Sequence, residues 1–191
     1  MGLTFGQQID GVSSNGVELH AAVFNENEVR AAAGLTLVIG AVAFASAYFA
    51  QDYLLLQIVS TLFFVEFLIR VTSGIRYSPM GVLAHAMTRS QPPEWVSAKP
   101  KRFAWTLGLA LAGSMMIITN SGVRGTLPRA ICLVCLTLMW MESVLGVCVG
   151  CKLHGYLVRQ GWTTKDPDYE VCAHGACAVP ARAPAGTTPV P

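Results

Sequence analysis

Four long apolar segments, separated by short polar ones, dominate the chain. They occupy residues 31–50, 53–69, 103–119 and about 128–149, and the first two are separated only by Gln51-Asp52. At a rise of about 1.5 Å per residue, a run of about 20 apolar residues crosses the ~30 Å hydrocarbon core of a bilayer. The pattern therefore predicts an all-α fold, a four-helix transmembrane bundle.

Polar residues at the segment ends indicate where helices begin. Asn25, followed by Glu26 and Glu28, supplies an N-cap residue and acids for a first helical turn. Ser78-Pro79 combines an N-cap residue with proline at the first helical position. We therefore expect a short interfacial helix over Met80–Thr88, between transmembrane helices 2 and 3.

Composition divides the chain into three regions. Residues 1–24 are mixed in character, and we expect a flexible N-terminal arm without a secretory signal peptide, since they contain no Lys, Arg or long apolar run. Residues 25–160 contain the four-helix membrane domain. Residues 161–191 form a cysteine-containing tail that we expect to be disordered after about residue 180, where Pro, Ala, Gly and Thr predominate.

Charge content and distribution support a membrane protein of defined orientation. Charged residues make up 13% of the chain, against about 25% in soluble domains. The net charge is only +2, and no basic stretch is interleaved with aromatic residues, so no nucleic-acid partner is expected. Of the 13 Lys and Arg residues, 11 fall on the side that holds both termini. The positive-inside rule predicts cytoplasmic N- and C-termini.

Two C-x-x-C pairs lie at the ends of the fourth apolar segment. The inner pair, Cys148 and Cys151, shares one helix face at the cytoplasmic end, where reducing conditions disfavour a permanent disulfide and favour transient redox chemistry or metal ligation. A helix that continues to Val149 would put this pair at the negative end of its dipole, which disfavours a thiolate. Lys152 would offset that effect.

Zinc ligation is the alternative chemistry for the inner pair. The tail contributes two further cysteines, and four thiolates form a closed tetrahedral zinc site. His154 or His174 is a possible substitute for one sulfur. The ligands of this alternative site would be Cys148, Cys151, Cys172 and Cys177.

The outer pair, Cys132 and Cys135, follows Pro128 in the first turns of the fourth segment. A C-x-x-C at the outer start of the last of four helices is similar to the arrangement in thiol oxidoreductases of the vitamin K epoxide reductase type. Those proteins pass electrons through a second cysteine pair in an outer loop, and the predicted outer loops of this chain contain no cysteine. We therefore expect Cys132 and Cys135 to be small apolar packing residues.

Two acidic residues lie inside the predicted spans. Glu66 precedes Arg70 by four residues, which predicts an ion pair near the membrane surface; the alternative is a buried acid that faces the bundle. Glu142 is expected deep in the bilayer on the same helix face as Cys135, where it must be neutral, paired or in a wet cavity. Its candidate partners are Ser60, Thr61, Glu66 and Thr137.

Several short motifs resemble those of one bacterial integral-membrane family. They are Asn25-Glu26, residues 29–34 (VRAAAG), residues 67–70 (FLIR), Ser78-Pro79, residues 101–104 (KRFA), Glu142 and residues 148–152 (CVGCK). Over about residues 25–158 the chain resembles domain-of-unknown-function family 4395. The resemblance implies a small four-helix protein of the bacterial inner membrane, with rhodanese- or thioredoxin-type sulfur proteins as possible cytoplasmic partners.

Three functions are consistent with these features. The first is thiol- or sulfur-linked redox chemistry, in which Cys148 and Cys151 react and Glu142 is a proton-active or structural acid. The second is a non-enzymatic subunit or zinc-binding module of a larger membrane complex. The third is a small transporter or channel for a sulfur species, with Glu66 and Glu142 along its path.

Overall fold

Six helices make up most of the part of the chain that the computed structural model describes, which is residues 22–163 in full and the backbone of residues 13–14, 17–18, 169–172 and 175–178. The helices are Glu26–Ala45 (α1), Leu54–Thr72 (α2), Pro79–Thr88 (α3), Ala98–Asn120 (α4), Thr126–Ser143 (α5) and Val149–Arg159 (α6). A π-helical turn, Ser46–Ala50, extends α1, and a 3-10 turn, Ile75–Tyr77, precedes α3. The predicted all-α class is confirmed.

Four of these helices form the membrane domain. α1 with its π-helical turn, α2, α4 and α5 are long and apolar enough to cross a bilayer. In the most apolar window of each helix, only 11% to 33% of the residues are buried inside the protein. Large apolar side chains such as Phe49, Leu62 and Ile117 are exposed, as expected for a surface that contacts lipid. The chain is a multi-pass membrane protein.

Within the residues that the structure describes, three antiparallel strand pairs accompany the helices. They are β1 (Ser13–Ser14) with β2 (Val17–Glu18), β3 (Val23–Asn25) with β4 (Trp95–Ser97), and β5 (Tyr169–Cys172) with β6 (Gly175–Ala178). In the β3–β4 pair, Phe24 lies opposite Val96. Because β3 leads into α1 and β4 leads into α4, this pair holds the starts of two membrane helices side by side.

Both predicted helix starts are confirmed. The side chain of Asn25 accepts a hydrogen bond from the backbone N–H of Asn27 at 3.2 Å at the start of α1. The hydroxyl of Ser78 accepts one from the backbone N–H of Gly81 at 3.1 Å at the start of α3. These bonds satisfy N–H groups that lack a partner inside their own helix.

Small and polar residues hold α2 against α4. A Cβ added to Gly108 would lie 2.7 Å from the ring of Phe67, so this glycine makes room for the aromatic side chain. Further along the same interface, the hydroxyls of Ser60 and Thr119 lie 3.1 Å apart, and the amide of Gln57 donates to the Thr119 carbonyl at 2.8 Å. Close approach at small residues and interhelical hydrogen bonds are the usual basis of helix association in membranes.

The fourth membrane helix is shorter than its apolar composition predicts. It ends at Ser143 and not near Val149. Gly146 has a φ of +64°, in the left-handed region that favours glycine, and the backbone N–H of Val147 donates to the carbonyl of Met141 at 2.9 Å. After this turn the chain begins a separate helix, α6. The inner cysteine pair therefore belongs to α6 and not to the membrane helix.

Candidate functional site

The inner cysteine pair lies at the start of α6. Cys148 is the N-cap residue, and its Sγ accepts a hydrogen bond from the backbone N–H of Cys151 at 3.2 Å. A disulfide joins the two sulfurs, and both side chains are buried. The prediction of a helix C-terminus is therefore wrong, because the pair lies at the positive end of a helix dipole. The expectation that the pair would lack a disulfide is also wrong for this structure.

Gly150 determines how closely α6 approaches α4. A Cβ added to Gly150 would lie 2.5 Å from the Cβ of Ala104 and 2.7 Å from its Cα. One turn further along α6, the buried ring of His154 lies 5.5 Å from the ring of Phe103. The glycine inside the C-x-G-C motif thus brings the disulfide against the first turns of α4, one turn from Lys101.

We expect Gly150→Ala to lower the free energy of unfolding by about 1–3 kcal/mol, because the added methyl group overlaps the backbone of α4. Unfolding by sodium dodecyl sulfate in mixed micelles, followed by circular dichroism, measures the change. The matched control is Gly34→Ala in α1, where the new Cβ would meet its nearest neighbour at an ordinary 3.7 Å. Equal stability of the two variants would show that the α4–α6 contact is not tight.

Lys101 lies between two carboxylates where α1 and α4 begin and α5 ends. Its Nζ is 2.6 Å from Oε1 of Glu142 and 2.7 Å from Oε2 of Glu26. The lysine side chain is 4% exposed, and the carboxylates of Glu26 and Glu142 are 12% and 13% exposed. We call Glu26, Lys101 and Glu142 the ion triad; its short charge-assisted bonds join three membrane helices.

The ion triad changes the interpretation of Glu142. This residue lies next to the last residue of α5, at the end of a membrane helix and not in its middle. Its ion-pair partner is Lys101 and not one of the side chains expected from the sequence. Cys135 and Glu142 both border a cavity at the centre of the bundle, as their shared helix face predicts.

Glu66 is both paired and buried. Its Oε1 accepts a hydrogen bond from Nε of Arg70 at 2.8 Å, and its Oε2 accepts one from the backbone N–H of Met80 at 3.3 Å. The predicted ion pair four residues apart is confirmed, but protein encloses it: the two side chains are 4% and 2% exposed. The bond to Met80 also fixes the start of α3 against α2.

A cavity of about 470 Å³ lies at the centre of the bundle, between α1, α2, α4, α5 and α6. Apolar side chains form most of its wall. Charged groups lie at one end, the polar end, where the lining includes Arg70, Lys101, Glu142 and Cys148. The hydroxyl residues of the wall are Thr36, Ser60 and Ser114. Among the described residues that line the cavity, Glu66 does not appear, so only one of the two acids expected along a transport path borders it.

The outer cysteines border the same cavity at a different level. Cys132 and Cys135 are not disulfide-bonded, and Cys132 is buried in an apolar cluster that includes Ala43, Tyr53 and Met115. This environment suits the predicted packing role.

The zinc alternative involves residues that the structure describes only in part. Cys148 and Cys151 are joined in the disulfide, and no group of three or more metal-ligating side chains occurs within the described residues. The side chains of Cys172 and Cys177, and all of His174, lie outside those residues. The four-sulfur zinc site therefore stays a prediction.

A family match covers this whole arrangement. The family described as "Domain of unknown function (DUF4395)" matches residues 24–159 of the 191. The chain belongs to the DUF4395 family. The matched region of this DUF4395 protein begins in β3 and ends with α6, so the membrane helices, the ion triad and the disulfide all fall inside it. No curated protein and no solved structure matches the chain significantly.

Proposed function

We propose that this DUF4395 protein carries out thiol–disulfide exchange through Cys148 and Cys151 at the cytoplasmic face of a bacterial inner membrane. The observation that carries the proposal is the position of Cys148, at the N-cap of α6 and in a disulfide with Cys151. The dipole and free N–H groups at a helix N-terminus stabilise a thiolate. The cytoplasmic placement rests on the asymmetric distribution of Lys and Arg.

The exchange proceeds in two balanced steps. A substrate thiolate attacks Sγ of Cys148, the disulfide breaks, and Cys151 leaves as a thiolate that takes up a proton. A second substrate thiolate then attacks the substrate sulfur of the mixed disulfide and displaces Cys148 as a thiolate. Two substrate thiols become one disulfide, and the protein disulfide becomes a dithiol. The backbone N–H of Cys151, which bonds to Sγ of Cys148, stabilises this last leaving group.

The ion triad places a carboxylate in the wall of the cavity that Cys148 also lines. Glu142 and Lys101 line the same cavity as Cys148. In the proposed reaction Glu142 accepts the proton that the attacking substrate thiol loses and returns it to the departing Cys151 thiolate, while Lys101 holds the carboxylate in place. General acid–base assistance of this kind typically contributes about 100-fold or more.

A cytoplasmic sulfur protein is the proposed substrate. The disulfide lies at the start of α6, next to Val149 and Lys152, which are exposed. A thioredoxin- or rhodanese-type partner, which the family resemblance implies, would approach this side. Membership of a larger complex is compatible with the same surface.

Thiol labelling of the detergent-purified protein tests the proposal. We expect Cys148 and Cys151 to resist a maleimide mass tag as purified and to accept it after treatment with dithiothreitol. In Cys151→Ala, Cys148 should form a stable mixed disulfide when treated with oxidised glutathione, which releases one reduced glutathione, because the resolving thiol is missing. Peptide mass spectrometry identifies the modified cysteine.

The control variant is Cys132→Ala/Cys135→Ala, which removes the outer pair and should leave the exchange unchanged. Two inner thiols that are always free and unreactive in the wild-type protein would overturn the proposal. A purified protein that holds about one zinc per chain, as a closed four-sulfur site would, and exchanges no disulfide would instead favour the zinc-binding module.

A further inference from the structure

We propose that the central cavity binds a lipid-soluble quinone, which reoxidises the Cys148–Cys151 dithiol after each exchange. This inference rests on the proposed thiol function and names the oxidant of the same site. It starts from the one cysteine of the inner pair that borders the cavity, Cys148, and from the mostly apolar wall that it shares.

The cavity has the size and depth for a ring that carries an apolar tail. Its volume of about 470 Å³ lies in the range of about 300–1,000 Å³ that is usual for small-molecule sites. Along α4 its lining extends from Lys101 to Met115, a difference of 14 residues or about 21 Å. Because membrane helices surround it, a ligand with an apolar tail reaches it most easily from the bilayer.

The polar end favours a neutral headgroup over a phosphate. Both buried cations that line it already have carboxylate partners: Arg70 pairs with Glu66, and Lys101 pairs with Glu26 and Glu142. An added phosphate would therefore meet two cations that carboxylates already neutralise, beside the carboxylate of Glu142 in the cavity wall. A neutral carbonyl group accepts a hydrogen bond from a buried donor without bringing a charge into the site.

The redox balance also fits a quinone. Two S–H bonds break at Cys148 and Cys151, and their S–S bond forms again. The two electrons and two protons reduce the quinone to its hydroquinone, with two new O–H bonds. Glu142 lines the cavity with Cys148, and in the proposed reaction it passes one proton from sulfur to a quinone oxygen. A carrier of two electrons and two protons that dissolves in hydrocarbon meets every requirement of this site.

The experiment uses the full-length protein in detergent, reduced and freed of reductant, with decylubiquinone as the probe. Peptide mass spectrometry follows the loss of thiols at Cys148 and Cys151, and absorbance follows the hydroquinone. We expect one hydroquinone for each disulfide that forms. Ala110→Phe, which adds a ring at an exposed position of α4 that borders the cavity, should slow this reaction at least about tenfold, equivalent to about 1.4 kcal/mol.

Ala130→Phe is the matched control, since Ala130 is an exposed alanine of α5 outside the cavity lining; it should leave the rate with decylubiquinone unchanged. Both variants should react normally with hydroxyethyl disulfide, a soluble oxidant. Equal rates with decylubiquinone for Ala110→Phe and wild type would overturn the quinone site. So would a phospholipid that co-purifies in the cavity and that decylubiquinone fails to displace.

The two proposals fail in different ways. If hydroxyethyl disulfide oxidises the dithiol and decylubiquinone does not, the quinone inference is overturned and the thiol function stands. A dithiol that neither oxidant converts to a disulfide overturns the thiol function, and the quinone inference falls with it.

Discussion

Replacing Lys101 by methionine should lower the free energy of unfolding by about 3–5 kcal/mol, the cost of leaving buried charges without their partner. Lys101 is almost fully buried, and it is bound to Glu26 and Glu142 at 2.7 Å and 2.6 Å. Methionine keeps the length of the side chain and removes the ammonium group, so the carboxylates are left facing each other. Unfolding in mixed micelles, followed by circular dichroism, measures the difference.

The triple variant Glu26→Gln/Lys101→Met/Glu142→Gln separates charge from packing. It removes all three charges and keeps nearly the same volume, so it should recover most of the lost stability. If Lys101→Met alone is as stable as the wild type, the ion triad does not hold the three helices together. If the triple variant is no better than Lys101→Met, the loss comes from packing and not from unpaired carboxylates.

Replacing Arg70 by methionine should lower the free energy of unfolding by a similar amount, about 3–5 kcal/mol. This variant tests a different contact, the one between α2 and α3. The guanidinium group of Arg70 is the main partner of Glu66, and protein encloses both side chains. Glu66 also accepts a hydrogen bond from the backbone N–H of Met80 at the start of α3. An unpaired charge on Glu66 would therefore disturb the junction of α2 and α3. The same micelle titration measures the loss.

The control for Arg70→Met is the double variant Glu66→Gln/Arg70→Met. Glutamine keeps a carbonyl oxygen that can accept from the backbone N–H of Met80, and it carries no charge. We expect the double variant to be closer to the wild type than Arg70→Met. A double variant that is less stable than the single one would mean that Arg70 acts through contacts other than Glu66, such as its position over the ring of Phe67.

The parts of the fold that depend on local sequence were predictable. Runs of apolar residues identify membrane helices because each helix must satisfy its own backbone in lipid. Caps such as Asn25 and Ser78 act within three residues, and the pair of Glu66 with Arg70 lies within one helical turn. Each of these interactions joins residues that are neighbours along the chain, so no knowledge of tertiary structure is needed.

The end of α5 was not predictable from hydropathy. Residues 144–148 (VLGVC) are as apolar as the helix that precedes them, so composition does not mark the break. Gly146 is the one local signal, because glycine is the residue that most readily takes the left-handed conformation that ends a helix. Because the prediction from hydropathy missed that turn, it assigned the inner cysteines to the C-terminal end of α5. They lie at the N-terminal end of α6, the positive end of its dipole.

The role of Lys101 was missed for a different reason. It stands in a basic group with Lys99 and Arg102, where the sequence indicates only part of the charge that orients the helices and part of the KRFA motif at residues 101–104. Its two partners are 75 and 41 residues away along the chain. No periodicity connects positions at such separations, so the ion triad appears only when α1, α4 and α5 are packed together.

The pairing of β3 with β4 has a consequence for how the bundle assembles during synthesis. Residues 23–25 leave the ribosome long before residues 95–97. Therefore α1 and α2 enter the bilayer first, and β3 can pair with β4 only when the residues just ahead of α4 have been made. The ion triad is completed later still, when Glu142 arrives at the end of α5. The last membrane helix, α5, therefore completes the bundle. The wall of the cavity that the cysteines line is complete only once α5 and α6 have packed.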